Sequence, residues 1–296
     1  MKITKVLKEI WKASRPLSLS LAFYSTTLGI VIANRELDLT LNKENLILIV
    51  LVTIAGLFVQ TATNFINDYF ECEYKNLHFK GKKYWFLGKN RNWFHILIFC
   101  LGILCFGITG LIGLILIYLS TPKLLIIGIL GIIGGYSYTG EPIVYKKRGL
   151  GTPLSFILMG PLMVTGSYLV FTGYFSYKPI LFGLPLSLLI PVLMLSNELR
   201  DYKRDKNLKI KTLTVRLGFN TGKLLYLFLI ITSYLLTIIF VILDQFPVLS
   251  LLVFITIPLA VKSYYNVAKA EKIGVPITNQ LHLSFGFIQI ITLLLN

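Results

Sequence analysis

Charged residues are scarce in this chain. Only 14% of its 296 residues are Asp, Glu, Lys or Arg, whereas a typical soluble domain carries about 25%. Hydrophobic residues make up 55% of the sequence, and the mean hydropathy is +0.74. This balance excludes an ordinary soluble domain and predicts an integral membrane protein.

Cysteine and histidine are also sparse, with three residues of each. Cys100 and Cys105 fall within one apolar run, so no disulfide framework is indicated. The three histidines have no Cys or acidic neighbour at a metal-ligand spacing, and we interpret them as incidental. No Pro-, Gly- or Ser-rich linker divides the chain, so we expect residues 1–296 to form a single membrane domain.

Apolar runs of spanning length are what the sequence does contain. A membrane helix needs roughly 17 to 25 such residues. Two shorter apolar runs are also counted as spans. The sequence therefore predicts an all-α integral membrane protein with nine transmembrane helices around a central apolar chamber. The predicted runs are Leu17–Ala33, Leu46–Ile66, Phe94–Leu119, Leu124–Tyr138, Leu154–Thr172, Ile180–Leu195, Leu224–Leu243, Val248–Val261 and Leu281–Leu295.

Lysine and arginine are distributed very unevenly between the predicted loops. Positive charge is retained in short cytoplasmic loops, and all but four of the 29 basic residues fall on the side of the N-terminus; the four are Arg35, Lys43, Lys123 and Lys178. We therefore predict a cytoplasmic N-terminus and an outside C-terminus. The net charge of +16 is divided among short loops rather than gathered on one face, so no nucleic-acid partner is expected.

The first 14 residues carry Lys at positions 2, 5, 8 and 12 among apolar side chains. This segment is either an amphipathic helix at the membrane interface or a plain solvated lead-in.

Two groups of acidic and amide side chains stand where apolar runs end. The first acidic cluster is Asn64, Asp68 and Glu71, and the second acidic cluster is Asn197, Asp201 and Asp205. A spacing of four residues places the second cluster on one helix face. Four predicted helices separate the clusters, and this even number puts both on the same side of the membrane.

Carboxylates at a membrane edge suit Mg²⁺, which binds carboxylates together with substrate phosphates. The neighbouring Lys and Arg suit the phosphates. This layout fits prenyl transfer, in which a diphosphate leaves an allylic chain and its negative charge must be stabilised. Two alternatives stay open. The acids could simply pair with basic neighbours as solvated loops, or the protein could be a cation-coupled transporter, although transporter sites lie near the bilayer midplane.

Several short motifs resemble the UbiA superfamily of intramembrane prenyltransferases, nearly from end to end. Within it, the chain is most similar to the 1,4-dihydroxy-2-naphthoate polyprenyltransferases of menaquinone biosynthesis. The motifs are Arg15-Pro16, Asn67-Asp68-Tyr69-Phe70, Tyr138-Thr139-Gly140, Gly149-Leu150-Gly151, Gly160-Pro161, Asn197-x-x-Arg200-Asp201-x-x-x-Asp205, Thr212-Leu213 and Arg216-Leu217-Gly218.

The resemblance implies a role for each matching residue. Each acidic cluster would bind one Mg²⁺, with Asp68 and Asp201 as catalytic residues. Tyr138 would lie near the reacting carbon, where its ring could stabilise an allylic cation; an interfacial tyrosine is the rival interpretation. The implied substrate-binding residues are Arg15, Asn64, Lys146, Arg148, Asn197 and Arg200.

The implied partners are a polyprenyl diphosphate, an aromatic acceptor and the lipid bilayer, in a prokaryotic plasma membrane with the site facing the cytoplasm. Different acceptors of the superfamily (4-hydroxybenzoate, an ether lipid or haem) and terpene cyclisation stay open. The first acidic cluster departs from the family pattern, because Glu71 replaces an Asp and Glu73 is the only additional carboxylate nearby. The sequence does not give the prenyl chain length or the oligomeric state.

Overall fold

The structure is a computed structural model that describes residues 3–72 and 82–295. In these ranges the chain is almost wholly helical. The first helices are α1 (Ile3–Ser14), α2 (Pro16–Leu37), α3 (Lys43–Glu71), α4 (Trp93–Leu119), α5 (Leu124–Ser137), α6 (Gly151–Ile157) and α7 (Met163–Thr172). The remaining helices are α8 (Lys178–Ser187), α9 (Leu189–Asn207), α10 (Leu213–Leu217), α11 (Phe219–Ile242), α12 (Ile257–Ala268) and α13 (Gly274–Leu294).

Eight helices of the described part are long and apolar enough to cross a membrane. Several are composite, because short 3₁₀ or π segments join two α-helices end to end. They are Pro16–Leu37, Lys43–Glu71, Trp93–Leu119, Gly151–Thr172, Lys178–Asn207, Phe219–Ile242, Val248–Ala268 and Gly274–Leu294.

One of the nine predicted spans, Leu124–Tyr138, corresponds to α5, which has 14 residues and is shorter than the ~17 residues a spanning helix needs. The count of nine therefore stays a prediction, as does the side of the membrane on which each terminus lies.

The last helix is longer than its apolar run indicates. It begins at Gly274 rather than near Leu281, because polar residues that interrupt the run are turned into the bundle: Asn279 is 5% exposed and His282 is 1% exposed. Hydropathy alone does not distinguish polar residues that face the bundle interior from polar residues that end a span.

Helix caps and breaks follow local chemistry. The side chains of Asn42 and Asn92 accept hydrogen bonds from the backbone N–H groups of Asn45 (2.8 Å) and His95 (3.0 Å), capping α3 and α4. The span from Gly151 contains a π turn, Leu158–Leu162, that includes Pro161. Proline has no backbone N–H to donate, which favours such an irregular turn.

A small hairpin lies outside the spans. Strands β1 (Lys83–Phe86) and β2 (Lys89–Asn92) pair antiparallel, with Lys83 opposite Asn92. Leu87 and Gly88 between them both have positive φ values, 47° and 70°, as a two-residue hairpin turn of type I′ requires.

Two main core clusters hold the bundle together. The larger lies between α2, α7, α8, α9, α11, α12 and α13 and includes the fully buried Leu28, Leu195 and Phe285. The smaller lies between α3 and α4, the most extensively packed helix pair, and also takes in Ala13 of α1. A cavity lies beside the smaller cluster, whose Ala13, Phe94 and Ile98 form part of the cavity lining.

Candidate active site

The cavity has a volume of about 710 Å³, within the range of small-molecule sites. Its lining comes from α1, α2, α3, α4, α5, α9, α13 and the segments around α6. Both acidic clusters contribute every one of their members, so the structure brings together residues more than 120 positions apart. Of the predicted site residues, those that line it are Arg15, Asn64, Asp68, Glu71, Tyr138, Lys146, Asn197, Arg200, Asp201 and Asp205.

Arg148 is the predicted residue that the structure places elsewhere. It is exposed and donates a hydrogen bond to the backbone oxygen of Pro142 (3.3 Å) instead of lining the cavity. Glu73, the spare carboxylate of the first cluster, lies outside the described residues.

The first acidic cluster is paired with cations from distant parts of the chain. Arg15 Nη2 donates to Asp68 Oδ1 (2.8 Å) and to Asn67 Oδ1, and Lys146 Nζ pairs with Glu71 Oε1. Arg15 lies between α1 and α2, whereas Lys146 lies in the 3₁₀ turn Tyr145–Arg148. Within the described residues, tertiary packing therefore supplies these two counter-charges.

Arg15 adopts a backbone conformation unusual for its residue type. Its φ and ψ are 51° and 68°, in the left-handed region that non-glycine residues seldom occupy. The turn separates α1 from α2 and directs the guanidinium to Asp68. Burial lowers the pKa of Arg15, but the carboxylates of Asp68 and Glu71 raise it more, so the residue stays charged.

The second acidic cluster is paired with cations of its own helix. Arg200 donates through two nitrogens to the two Asp201 oxygens (2.9 and 2.7 Å). Arg204 donates to Asp201 Oδ2 (3.0 Å) and to Asp205 Oδ1 (2.9 and 3.1 Å). The α-helix alone places these groups within reach of one another.

The two asparagines are oriented alike. Asn64 Nδ2 donates to Ser14 O and Ser18 Oγ (both 2.8 Å), and Asn197 Nδ2 donates to Leu193 O (3.0 Å). Because each amide nitrogen is bonded to the protein, Oδ1 is the atom that each side chain can offer to a cation.

These oxygen donors fit Mg²⁺. The described residues contain no group of three or more His, Cys, Asp or Glu side chains that could hold a metal by themselves. Mg²⁺ seldom needs one, because it binds through one or two carboxylates plus water and substrate phosphates. Asn64, Asp68, Glu71, Asn197, Asp201 and Asp205 could hold the ion in this way.

Tyr138 and Lys146 form the wall between the clusters. Lys146 Nζ lies 5.4 Å from the centroid of the Tyr138 ring. Burial raises the pKa of Tyr138, so the phenol is neutral. Burial lowers the pKa of Lys146, but Tyr138 and Glu71 raise it more, so the ammonium is retained.

Sequence reasoning missed Glu198, which is 8% exposed and lines the cavity. Its carboxylate accepts hydrogen bonds from Thr152 Oγ1 (2.8 Å) and from the backbone N–H of Thr214 (2.9 Å). It thus ties α9 to α6 and α10, directly beside Asn197. The only sequence signal was an acid at the end of an apolar run. Arg204 was missed as well.

The rest of the cavity is lined mainly by apolar side chains. Three of the four methionines in the chain take part, one of them in the π turn of residues 158–162. Methionine is flexible and adapts to irregular apolar ligands. The apolar lining residues include Leu17, Val59, Phe94, Ile98, Leu158, Met159, Met163, Leu193, Met194 and Val275.

Known proteins are similar to this chain in sequence and in fold. The chain is 26% identical to a 1,4-dihydroxy-2-naphthoate octaprenyltransferase of Bacillus subtilis (strain 168), over 97% of this chain and 92% of the relative. A UbiA homologue from Aeropyrum pernix K1 has a TM-score of 0.65 at 13% identity, covering 92% of this chain and 97% of the homologue. A UbiA homologue from Archaeoglobus fulgidus, bound to GPP and Mg²⁺, has a TM-score of 0.56 at 15% identity, covering 95% and 99%.

The similarity to these solved structures establishes the fold, and the match to a family sequence model establishes the family. The sequence model of the UbiA prenyltransferase family matches residues 22–273. This range contains both acidic clusters; α1, the start of α2 and α13 lie outside it. The resemblance predicted from the motifs is confirmed. The chain belongs to the UbiA prenyltransferase family and is a prenyltransferase.

Proposed function

We propose that this protein transfers a polyprenyl group from a polyprenyl diphosphate to 1,4-dihydroxy-2-naphthoate, in a Mg²⁺-dependent step of menaquinone biosynthesis. Residues 1–296 would act as one membrane domain, with the site at the cytoplasmic face of a prokaryotic plasma membrane. The single observation that carries the proposal is the convergence of two acidic clusters and their basic partners on one cavity with an apolar interior. The octaprenyltransferase relative supports the choice of acceptor.

The charged end of the cavity would bind the diphosphate. Bound Mg²⁺ would neutralise the leaving diphosphate as negative charge develops on it. Arg15, Lys146 and Arg200 would add fixed positive charge at the same place, where the low local dielectric strengthens its effect. The apolar lining would hold the prenyl chain and keep water from the reacting carbon.

The proposed transfer breaks a C–O bond of the donor and a C–C bond of the acceptor and forms one new C–C bond. The allylic C–O bond breaks, and its electron pair leaves with the diphosphate. A ring carbon of the acceptor then forms a C–C bond to the allylic carbon, and the carboxylate on that ring carbon leaves as CO₂, returning its electron pair to the ring. Tyr138, neutral and close to Lys146, would face the allylic cation with its ring.

Mass identification of the product tests this proposal. Purified protein is incubated with Mg²⁺, prenyl diphosphates of several lengths and a panel of acceptors, and diphosphate release is followed. The expected product is the prenylated, decarboxylated naphthalene-diol. Release of diphosphate with a different product would reassign the acceptor or indicate cyclisation, whereas no release with any pair would refute prenyl transfer by this site.

Two single substitutions sharpen the result. Asp68→Asn and Asp201→Asn are each expected to lower kcat by at least about 10²-fold, the scale for losing one group that stabilises developing charge. Asp38→Asn is the matched control, because Asp38 is exposed beyond the far end of α2. If both cluster variants retained turnover, the acids would not be catalytic and would only pair with their basic neighbours.

A further inference from the structure

The chain has three tryptophans, and all of them are exposed on elements that pack on one core cluster, namely α1, the hairpin and the start of α4. Trp11 on α1 is 64% exposed, Trp85 on β1 is 72% exposed, and Trp93, the first residue of α4, is 42% exposed. Tryptophan is largely buried on average in folded proteins. Three exposed tryptophans in one region therefore indicate contact with something outside the protein.

Helix α1 has an apolar surface wider than the protein covers. Val6, Ile10 and Ala13 pack against the core cluster of α3 and α4. Leu7 and Trp11, one turn apart on the adjoining face, are exposed. The exposed Lys5 and Lys8 continue around the helix from this face.

The hairpin adds a second exposed apolar surface beside the first. Tyr84, Trp85 and Leu87 are exposed, and Lys82 and Lys83 precede them. The hydroxyl of Tyr69 donates to the backbone oxygen of Phe86 (3.1 Å), which joins the hairpin to α3. Phe86 packs on the same core cluster as Val6 and Ile10, so the hairpin and α1 flank one part of the bundle.

We name this surface the tryptophan rim; it consists of Lys5, Leu7, Lys8, Trp11, Lys82, Lys83, Tyr84, Trp85, Leu87 and Trp93. Its charge has one sign. Residues 82–93 contain no Asp or Glu, and the one acid of α1, Glu9, is paired with Lys12 (2.8 Å) and lines the cavity. The partner must therefore be negatively charged and able to accept aromatic and aliphatic side chains.

We propose that the tryptophan rim docks into the headgroup layer of a bilayer that contains anionic phospholipid. Tryptophan concentrates at this depth because its ring is apolar and its N–H is polar. Amphipathic helices with flanking lysines bind there, and each lysine adds attraction to anionic lipid. A soluble protein partner would not explain indole rings together with lysines at a membrane edge.

Docking of α1 has a structural consequence for the cavity. Glu9, Lys12 and Ala13 form part of its wall, and Arg15 directly follows the last residue of α1. A lipid-bound α1 therefore holds this wall and Arg15 in place.

The intrinsic fluorescence of Trp11 tests the proposal without an activity measurement. In the Trp85→Phe/Trp93→Phe variant, Trp11 is the only tryptophan. The full-length protein is placed in nanodiscs whose lipid chains are brominated, with increasing phosphatidylglycerol in phosphatidylcholine. We expect quenching to increase with phosphatidylglycerol content. The Trp11→Phe/Trp93→Phe variant tests Trp85 of the hairpin in the same way.

Charge variants separate headgroup attraction from simple proximity to lipid. Lys5→Gln/Lys8→Gln is expected to raise the phosphatidylglycerol fraction needed for half-maximal quenching of Trp11 by about twofold or more. The control is Lys262→Gln/Lys272→Gln, which removes two exposed lysines near the junction of α12 and α13. Quenching that is absent, independent of phosphatidylglycerol, or affected equally by both pairs of substitutions would overturn the proposal.

Discussion

The two acidic clusters obtain their counter-charges from different sources. In the first cluster, Asp68 and Glu71 pair with Arg15 and Lys146, which are 53 and 75 residues away in sequence. In the second, Asp201 and Asp205 pair with Arg200 and Arg204 of the same helix.

This difference shows that two clusters of similar composition can depend on different levels of structure. The second cluster forms wherever α9 forms, because helical spacing alone brings its members together. The first cluster requires α2, α3 and the turn at Tyr145–Arg148 to be packed correctly. Disruption of tertiary packing should therefore affect the first cluster more than the second.

The largest effect should follow from removing a counter-charge of the first cluster. Lys146→Met is expected to destabilise the protein by up to about 3 kcal/mol, because the pair with Glu71 is mostly buried. Arg200→Met should cost no more than about 1 kcal/mol, since Asp201 keeps Arg204 at 3.0 Å. The thermal unfolding midpoints of both variants in one detergent measure the difference. Equal shifts would remove the distinction between the clusters.

A smaller effect should follow from breaking the contact of Glu198, which joins α9, the helix of the second cluster, to α6. Thr152→Val removes the hydroxyl that donates to Glu198 while keeping the side-chain shape. The expected loss is about 2 kcal/mol, because the bond is buried and the acceptor is charged.

Thr27→Val is the matched control for this change. It removes only the hydrogen bond from Thr27 Oγ1 to the backbone oxygen of Phe23 within α2. If the unfolding midpoints of the two valine variants coincide, Glu198 does not anchor the second cluster.

The smallest effect is expected within α9 itself. Arg204→Lys keeps the charge but loses the planar fork that reaches both Asp201 and Asp205. Half of the Arg204 side chain is exposed, so we expect a loss of about 0.5 kcal/mol. Lys203→Arg, the reverse exchange at an exposed neighbour, should be neutral in the same unfolding assay. A loss as large as that of Lys146→Met would show that the second cluster also depends on a buried charge network.

Much of the site was predictable because its residue types are rare in an apolar sequence. Asn64, Asp68, Asn197 and Asp201 are conspicuous where apolar runs end, and a carboxylate there is costly unless it is functional or paired. Glu198 was harder to predict, because its role depends on a threonine 46 residues away. Arg148 is the opposite case: the resemblance implied that it binds the substrate, but in the structure it donates to the backbone oxygen of Pro142 and does not line the cavity.

The transmembrane spans also divide into features that the sequence predicted and features that it did not. Hydropathy located the apolar runs, since burial in lipid requires them. It underestimated α13, where Asn279 and His282 face the interior, and it could not establish whether the 14-residue α5 crosses the membrane.

By itself, the sequence determined that the chain enters a membrane, where its apolar runs lie and which acids stand at their ends. These properties depend on composition and on spacing along one helix, which are local. Only the tertiary structure decided that both clusters line one cavity, that Arg15 and Lys146 neutralise acids of the first cluster, and that the elements carrying the three tryptophans pack on one core cluster. These are contacts between residues far apart in the chain, and helix packing alone determines them.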